Sequence, residues 1–260
     1  QGGNKLIVYM NVDDNRPGLY DREAVYYSVY NKATDTWSDW LILDDDGTLD
    51  GNLETLQLPD GRIAVAWTDS NKTLGGAAGE SAEDKLPKME DLLTSQKISL
   101  CIFNADGTPG NMYNISPEDP TLNYGYSEPS LACSPDGVLT ILYKVTDYNT
   151  EGVVFDYTNI ENTYAPFFLC SYESLAVTEF DISAGKIVDG GEYAAFEEAS
   201  GVKLNGMRLF DTDVGGVENP KLYDAKAAAF DGKTYIVYSM DCSNNVSTKD
   251  DCELFCIIRE

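Results

Sequence analysis

The chain has 260 residues, 43% of them hydrophobic, which is enough to bury a large core as one β domain or two smaller ones. Its 44 acidic residues outweigh 18 basic ones for a net charge of −26, so phosphate backbones and anionic lipid surfaces are repelled, which argues against nucleic acid and membrane surfaces as partners, and no apolar run is long enough to cross a bilayer. There is no His, which removes Ser-His and Cys-His catalysis and imidazole-bound zinc.

In chain order, the first predicted strand is "GNKLIVYMNVD" (3–13). Its phrase returns in "LPDGRIAVAWTD" (58–69), "SPDGVLTILYKVTD" (134–147) and "FDGKTYIVYSMD" (230–241). Aligned on Gly3, Gly61, Gly137 and Gly232, each copy has a β-branched residue four positions on: Ile7, Val65, Ile141, Ile236. Six positions on stands a ring: Tyr9, Trp67, Tyr143, Tyr238. Even offsets share one strand face, and the odd offsets are also mostly apolar, so the pattern predicts strands covered on both faces. Three copies follow another strand and an Asp-Gly turn, in "LETLQLPDG", "PSLACSPDG" and "AKAAAFDG". Asp-Gly between apolar runs predicts a hairpin, because Gly accepts the positive φ that the turn requires.

A variable acidic loop and a third strand come next in each copy: "EAVYYSVYN", "KISLCIFN", "ELFCIIRE". In the third copy both "APFFLCSYE" and "LAVTEFD" are candidates for that strand. A fourth strand follows a short turn in "TWSDWLIL" and "NMYNIS". Trp37 and Trp40 fall three apart, on opposite strand faces, which assigns at least one of them to the core. Cys101 and Cys256 read as small buried residues in mid-strand, while Cys242 and Cys252 flank a loop that a disulfide can close.

Repeated four-stranded antiparallel units with doubly covered middle strands predict an all-β fold, a β-propeller in which about 3.5–4 blades are present. The chain begins on a second strand and stops after a third, so the propeller is expected to be partial, completed by flanking sequence or another chain. The repeat units run roughly 1–44, 45–117, 118–210 and 211–260 within a single domain, 1–260. The phrase "VYYSVYNKATDTWSDWLILDDDGTLDGN" followed by "DGRIAVAWTD" resembles the degenerate kelch-like or sialidase-like propeller repeats of large bacterial cell-surface and secreted proteins. That resemblance implies an extracellular or cell-surface location. The sialidase Asp-box, S-x-D-x-G-x-T-W, is met only at Thr36 and Trp37; Tyr30, Lys32 and Thr34 stand where Ser, Asp and Gly belong, so sialidase activity is not carried over.

The inter-blade connectors and the second-to-third-strand loops of a propeller share one rim, and both sets are acidic here. Hard cations favour clustered carboxylates. Asp44, Asp46 and Asp50 around Gly47 form the best calcium candidate; Asn11, Asp13 and Asn15 have alternate spacing but no following Gly. Solvated, turn-forming acid is the ordinary reading of both. Tyr20, Tyr124, Tyr126 and Tyr148 lie on the same rim and can stack on sugar rings. No spacing singles out an acid–base carboxyl pair. The expectation is therefore a non-catalytic binding or adhesion module presenting its acidic rim to a carbohydrate or protein. The alternatives are a secreted carbohydrate-active enzyme using Asp and Glu, and an assembly module pairing through open blade edges.

Overall fold

A computed structural model describes residues 4–12, 23–72, 93–117, 124–148, 171–194, 207–208, 221–241 and 252–259. They form four antiparallel sheets in succession. The first holds β1 (Lys5–Val12) and β2 (Glu23–Asn31), with β3 (Thr36–Trp37) and β4 (Leu41–Asp44) both on the far side of β2. The second runs in the order β5 (Gly51–Gln57), β6 (Ile63–Ser70), β7 (Gln96–Phe103), β8 (Pro109–Asn114). β9 (Tyr124–Cys133), β10 (Val138–Tyr148), β11 (Ser171–Asp181) and β12 (Lys186–Ala194) form the third, where β13 (Met207–Arg208) also pairs with β11. The fourth contains β14 (Lys221–Phe230), β15 (Lys233–Asp241) and β16 (Cys252–Arg259). The third strand of the third copy is thus "SYESLAVTEFD", and "APFF" falls outside the described residues.

The Asp-Gly turns work as the sequence requires. Gly61 and Gly137 both sit at φ 90, and their amides close onto Leu58 O at 3.0 Å and Ser134 O at 3.1 Å. The third turn is tighter: Asp231 and Gly232 both have positive φ, which brings Phe230 opposite Lys233. With the turns fixed, register follows, and the four rings take matching places in mid-strand: Tyr9 opposite Tyr26, Trp67 opposite Ser99, Tyr143 opposite Ala176, Tyr238 opposite Phe255.

The chain divides into two compact units. The first is Gln1–Ser116 with Ser127–Pro129, and the second is Pro117–Tyr126 with Ser130–Glu260. In the first unit, Val25 and Tyr27 of β2 interlock with Val65 and Trp67 of β6 and Cys101 and Phe103 of β7; the Tyr27 and Phe103 rings meet edge to face at 5.1 Å. In the second, Leu142, Leu175 and Val177 pack on Leu222, Ile236, Tyr238 and Ile257. Each such side chain contributes roughly 1.5–3 kcal/mol on full burial.

Two-faced burial holds for β6 and β10 but not for β1 and β15. Along β1, Ile7, Met10 and Val12 are exposed, and in the last sheet so are Phe230, Leu254 and Ile258. These two sheets are covered on one side only among the described residues. Cys256 is consequently exposed rather than buried, whereas Cys101 is buried as expected. Trp37 and Trp40 are both exposed, because the strand breaks between β3 and β4 and the alternation assumed across them does not continue. Cys242 and Cys170 lie outside the described residues.

Candidate functional site

The connector from β4 to β5 carries the acidic run of residues 44–50. Gly47 at φ 83 turns it, and Asp46 holds the turn by accepting bonds from the Thr48 amide at 2.9 Å and hydroxyl at 2.6 Å. That is local turn chemistry, and Asp46 itself is exposed. The neighbours on either side turn inward. Asp44 ends β4 opposite Val25, and Asp50 directly precedes β5. They meet Asp69, which projects from β6 beside the Trp67 ring position, and one carboxylate oxygen from each of the three lies within 4.8 Å of the other two. Of the predicted trio, Asp44 and Asp50 are brought together and Asp69 stands where Asp46 was expected.

Asp44 is 8% exposed, Asp50 1% and Asp69 2%. Asp69 is well compensated: Lys97 Nζ, opposite it on β7, lies 3.0 Å from Oδ2, Ser99 Oγ donates to the same oxygen at 2.5 Å, and the Ser70 amide donates to Oδ1. Thr48 Oγ1 is 3.2 Å from Asp69 Oδ1 but gives its single proton to the nearer Asp46. Asp50 differs: neither of its oxygens has a hydrogen-bond partner. The indole N–H of Trp67 is near enough to favour its charged form slightly, yet it too makes no properly formed hydrogen bond. Burial, and then the charges of Asp44, Asp69 and Asp46, push the Asp50 carboxyl up to about 9. Burial and the Asp69 charge raise Asp44 to about 6.

A second feature lies close by in the chain's hydrogen bonding. Thr68, adjacent to Asp69, accepts a bond from the Glu128 amide at 3.1 Å and donates its own proton to Asn52 Oδ1 at 3.2 Å. Asn52 and Glu128 both adopt left-handed backbone, at φ 44 and 54. Each stands nine residues ahead of its turn glycine, Gly61 or Gly137, so they are equivalent positions of the repeat. Asn tolerates this conformation; Glu ordinarily does not. The Glu128 side chain is exposed.

Of the four tyrosines expected to meet sugar, Tyr124 is half-buried at the start of β9. Tyr126 is 8% exposed and packs edge to face on Tyr143 at 5.9 Å. Tyr148 ends β10, its side chain beyond the described residues, as are Tyr20, Asp13 and Asn15. A cleft of about 570 Å³ along β1, lined by Asn4, Leu6, Thr55, Gln57 and Asn104 among others, contains no carboxylate.

Asp69 and Glu128 are absent from the sequence reading, although both had a signal. Asp69 lies at an even offset, eight from Gly61, on the face that carries Val65 and Trp67; a carboxylate on a core face needs an explanation. Glu128 aligns with an Asn and precedes a Pro in "SEPSL".

No family model matches the sequence, and no curated protein is similar to it. Solved structures are similar in fold. A Hadza microbial sialidase superposes with a TM-score of 0.50 at 13% identity over 98% of the chain. The alpha-L-arabinanase of Penicillium chrysogenum, solved with arabinobiose, gives 0.46 at 10% identity over 93%, and a GH93 alpha-L-arabinofuranosidase of Fusarium graminearum gives 0.47 at 7% over 97%. The chain spans 57% of the arabinanase, 59% of the arabinofuranosidase and 42% of the sialidase. The protein is all-β, with antiparallel sheets of the β-propeller type forming part of a propeller; kelch repeats specifically are not what the matches show. The expectation of a non-catalytic binding or adhesion module is corrected here: the solved structures found similar in fold are a sialidase, an alpha-L-arabinanase and an alpha-L-arabinofuranosidase, not binding or adhesion modules.

Proposed function

We propose that the chain is part of a carbohydrate-active enzyme of the glycoside hydrolase type, with Glu128 supplying one of its working carboxyls. The observation that carries this is the backbone of Glu128: a bulky, charged residue before a proline, held at φ 54 by a bond to Thr68, with its side chain turned to solvent. Left-handed backbone costs about 1–2 kcal/mol for such a residue, and strain of this kind collects where a side chain must be aimed. Asp50 cannot fill the same role. At 1% exposure its carboxyl does not reach a glycosidic oxygen, whatever its pKa. Hydrolysis of a glycoside needs a second carboxyl across the scissile bond from the first. Tyr124, half-buried at the start of β9, is the ring we assign to stacking on a sugar. An exported location fits a glycan substrate, and no helix of the described residues is long and apolar enough to cross a membrane.

The test is hydrolysis of chromogenic aryl glycosides, an arabinofuranoside and a sialoside among them, by the wild-type chain and by Glu128→Gln. Loss of one acid–base carboxyl lowers kcat by about 10²–10⁴-fold. Absence of hydrolysis across the panel, or a Glu128→Gln protein at the wild-type rate, refutes the reading.

A further inference from the structure

We propose that Asp44, Asp50 and Asp69 bind a hard divalent cation, calcium by its chemistry, at the connector between the first two sheets. Three oxygens within 4.8 Å of one another match the span across a calcium ion, whose oxygen ligands sit at roughly 2.3–2.6 Å. An acidic cluster alone is commonplace in a chain of this charge. Asp50 sets this one apart: it is 1% exposed, points into the cluster, and leaves both oxygens without a hydrogen-bond partner. Buried polar atoms are almost always satisfied, and an unpaired buried carboxylate costs several kcal/mol. Protonation removes the charge but still leaves an O–H and a C=O with no partner. A cation satisfies both oxygens at once.

The charge balance agrees. Among the described residues, three carboxylates against the lysine that pairs with them, Lys97, leave −2, which a divalent ion neutralises. Asp69 is held in place by its own partners, Lys97 and Ser99 on Oδ2 and the Ser70 amide on Oδ1, and a carboxylate oxygen with one such partner still has a lone pair for a cation. Asp46, committed to Thr48 and exposed, is not a ligand. This inference does not depend on the hydrolase reading.

Trp67, buried against Asp50, provides a direct probe. Terbium added to chelator-treated protein in 0.15 M KCl is expected to luminesce on tryptophan excitation and to be displaced by calcium, and Trp67→Phe is expected to lose the signal. Calcium at a hundredfold excess over its Kd is expected to raise the melting temperature by about 5–10 °C relative to EDTA. Asp50→Asn, nearly isosteric, is expected to abolish that rise, and Asp46→Asn to retain it. Equal melting temperatures in EDTA and calcium, a calcium response that survives Asp50→Asn, or absence of displaceable terbium luminescence from the wild-type chain overturns the proposal. The luminescence readout stands even if Asp50→Asn does not fold.

Discussion

Replacing Glu128 by Gly and by Ala separates backbone strain from side-chain chemistry. Both variants lack the carboxylate, and the amide of residue 128 can donate to Thr68 in either, so they differ in the backbone alone: in the cost of φ 54 and in chain entropy. For an L-residue that cost is about 1–2 kcal/mol, and glycine escapes it. Against this, glycine loses roughly 0.5–1 kcal/mol more chain entropy than alanine on folding. The difference favours Gly by about 0.5–1 kcal/mol, the reverse of the usual order. In a protein of this size it appears as a melting temperature about 1–4 °C higher for Glu128→Gly than for Glu128→Ala. Scanning calorimetry, following the transition of the first unit, is the assay. Asn52→Gly serves as a control of opposite sign: Asn already tolerates the conformation, and the buried Thr68 hydroxyl loses its acceptor, so this change destabilises by about 1–2 kcal/mol. The hydrolase reading adds that both Glu128 variants lose activity, so the Gly variant is at once more stable and inactive. An Ala variant equal to or more stable than the Gly variant refutes the strain argument; a Gly variant with the wild-type rate refutes the assignment of Glu128.

Gly107 sits at φ +91 in the β7–β8 turn, where a Cβ would meet the Val29 methyls at 2.6 and 2.8 Å; Gly107→Ala therefore destabilises the first unit by about 2–4 kcal/mol in urea unfolding, and Val29→Ala recovers part of it. Tyr143 and Thr178 share a hydrogen bond of 3.0 Å between their hydroxyls, both residues being fully buried. Tyr143→Phe or Thr178→Val alone costs about 1–2 kcal/mol by leaving the other hydroxyl unsatisfied, while the double change costs less than the two summed; strict additivity in a double-mutant cycle refutes the coupling.

The repeat was readable because its determinants are local. An Asp-Gly pair sets a turn within a few residues, and alternation then sets the faces, so Tyr9, Trp67, Tyr143 and Tyr238 could be matched without any tertiary knowledge. What covers a face is not local. β1 carries the same apolar pattern as β6 and β10, yet its Ile7 and Met10 are exposed. The cluster was half readable for the same reason: Asp44 and Asp50 are joined by a short connector, but Asp69 reaches them only through the β5–β6 hairpin. Spacing favoured Asp46, which is spent on Thr48. Glu128 needed two inferences together, the repeat alignment with Asn52 and the left-handed backbone, and only the first is written in the sequence. Charge and missing histidines excluded chemistries but could not separate a sugar-binding module from a sugar-cleaving one, because both use the same carboxylates and rings.

The two proposed sites share their scaffolding. Asp50 and Asn52 flank Gly51 on one segment, and Thr68 and Asp69 are adjacent on another, so fixing the carboxylates also fixes Asn52 and Thr68, through which the Glu128 amide is held. Thr68 is 2% exposed and acts here as a positioning residue. Thr68→Val keeps its volume and removes the hydroxyl that accepts from Glu128 and donates to Asn52; Thr68→Ser keeps both bonds. Freed from this tether, Glu128 relaxes toward ordinary extended backbone, which proline after it favours. The expected result is a kcat lowered about tenfold or more in Thr68→Val with KM little changed, and wild-type kcat in Thr68→Ser, since a misaimed carboxyl affects the chemical step more than sugar binding. Calcium affinity is unaltered in both, because neither change touches a carboxylate. Equal kcat in the Val and Ser variants means that the hydroxyl does not position Glu128, whatever the cluster binds.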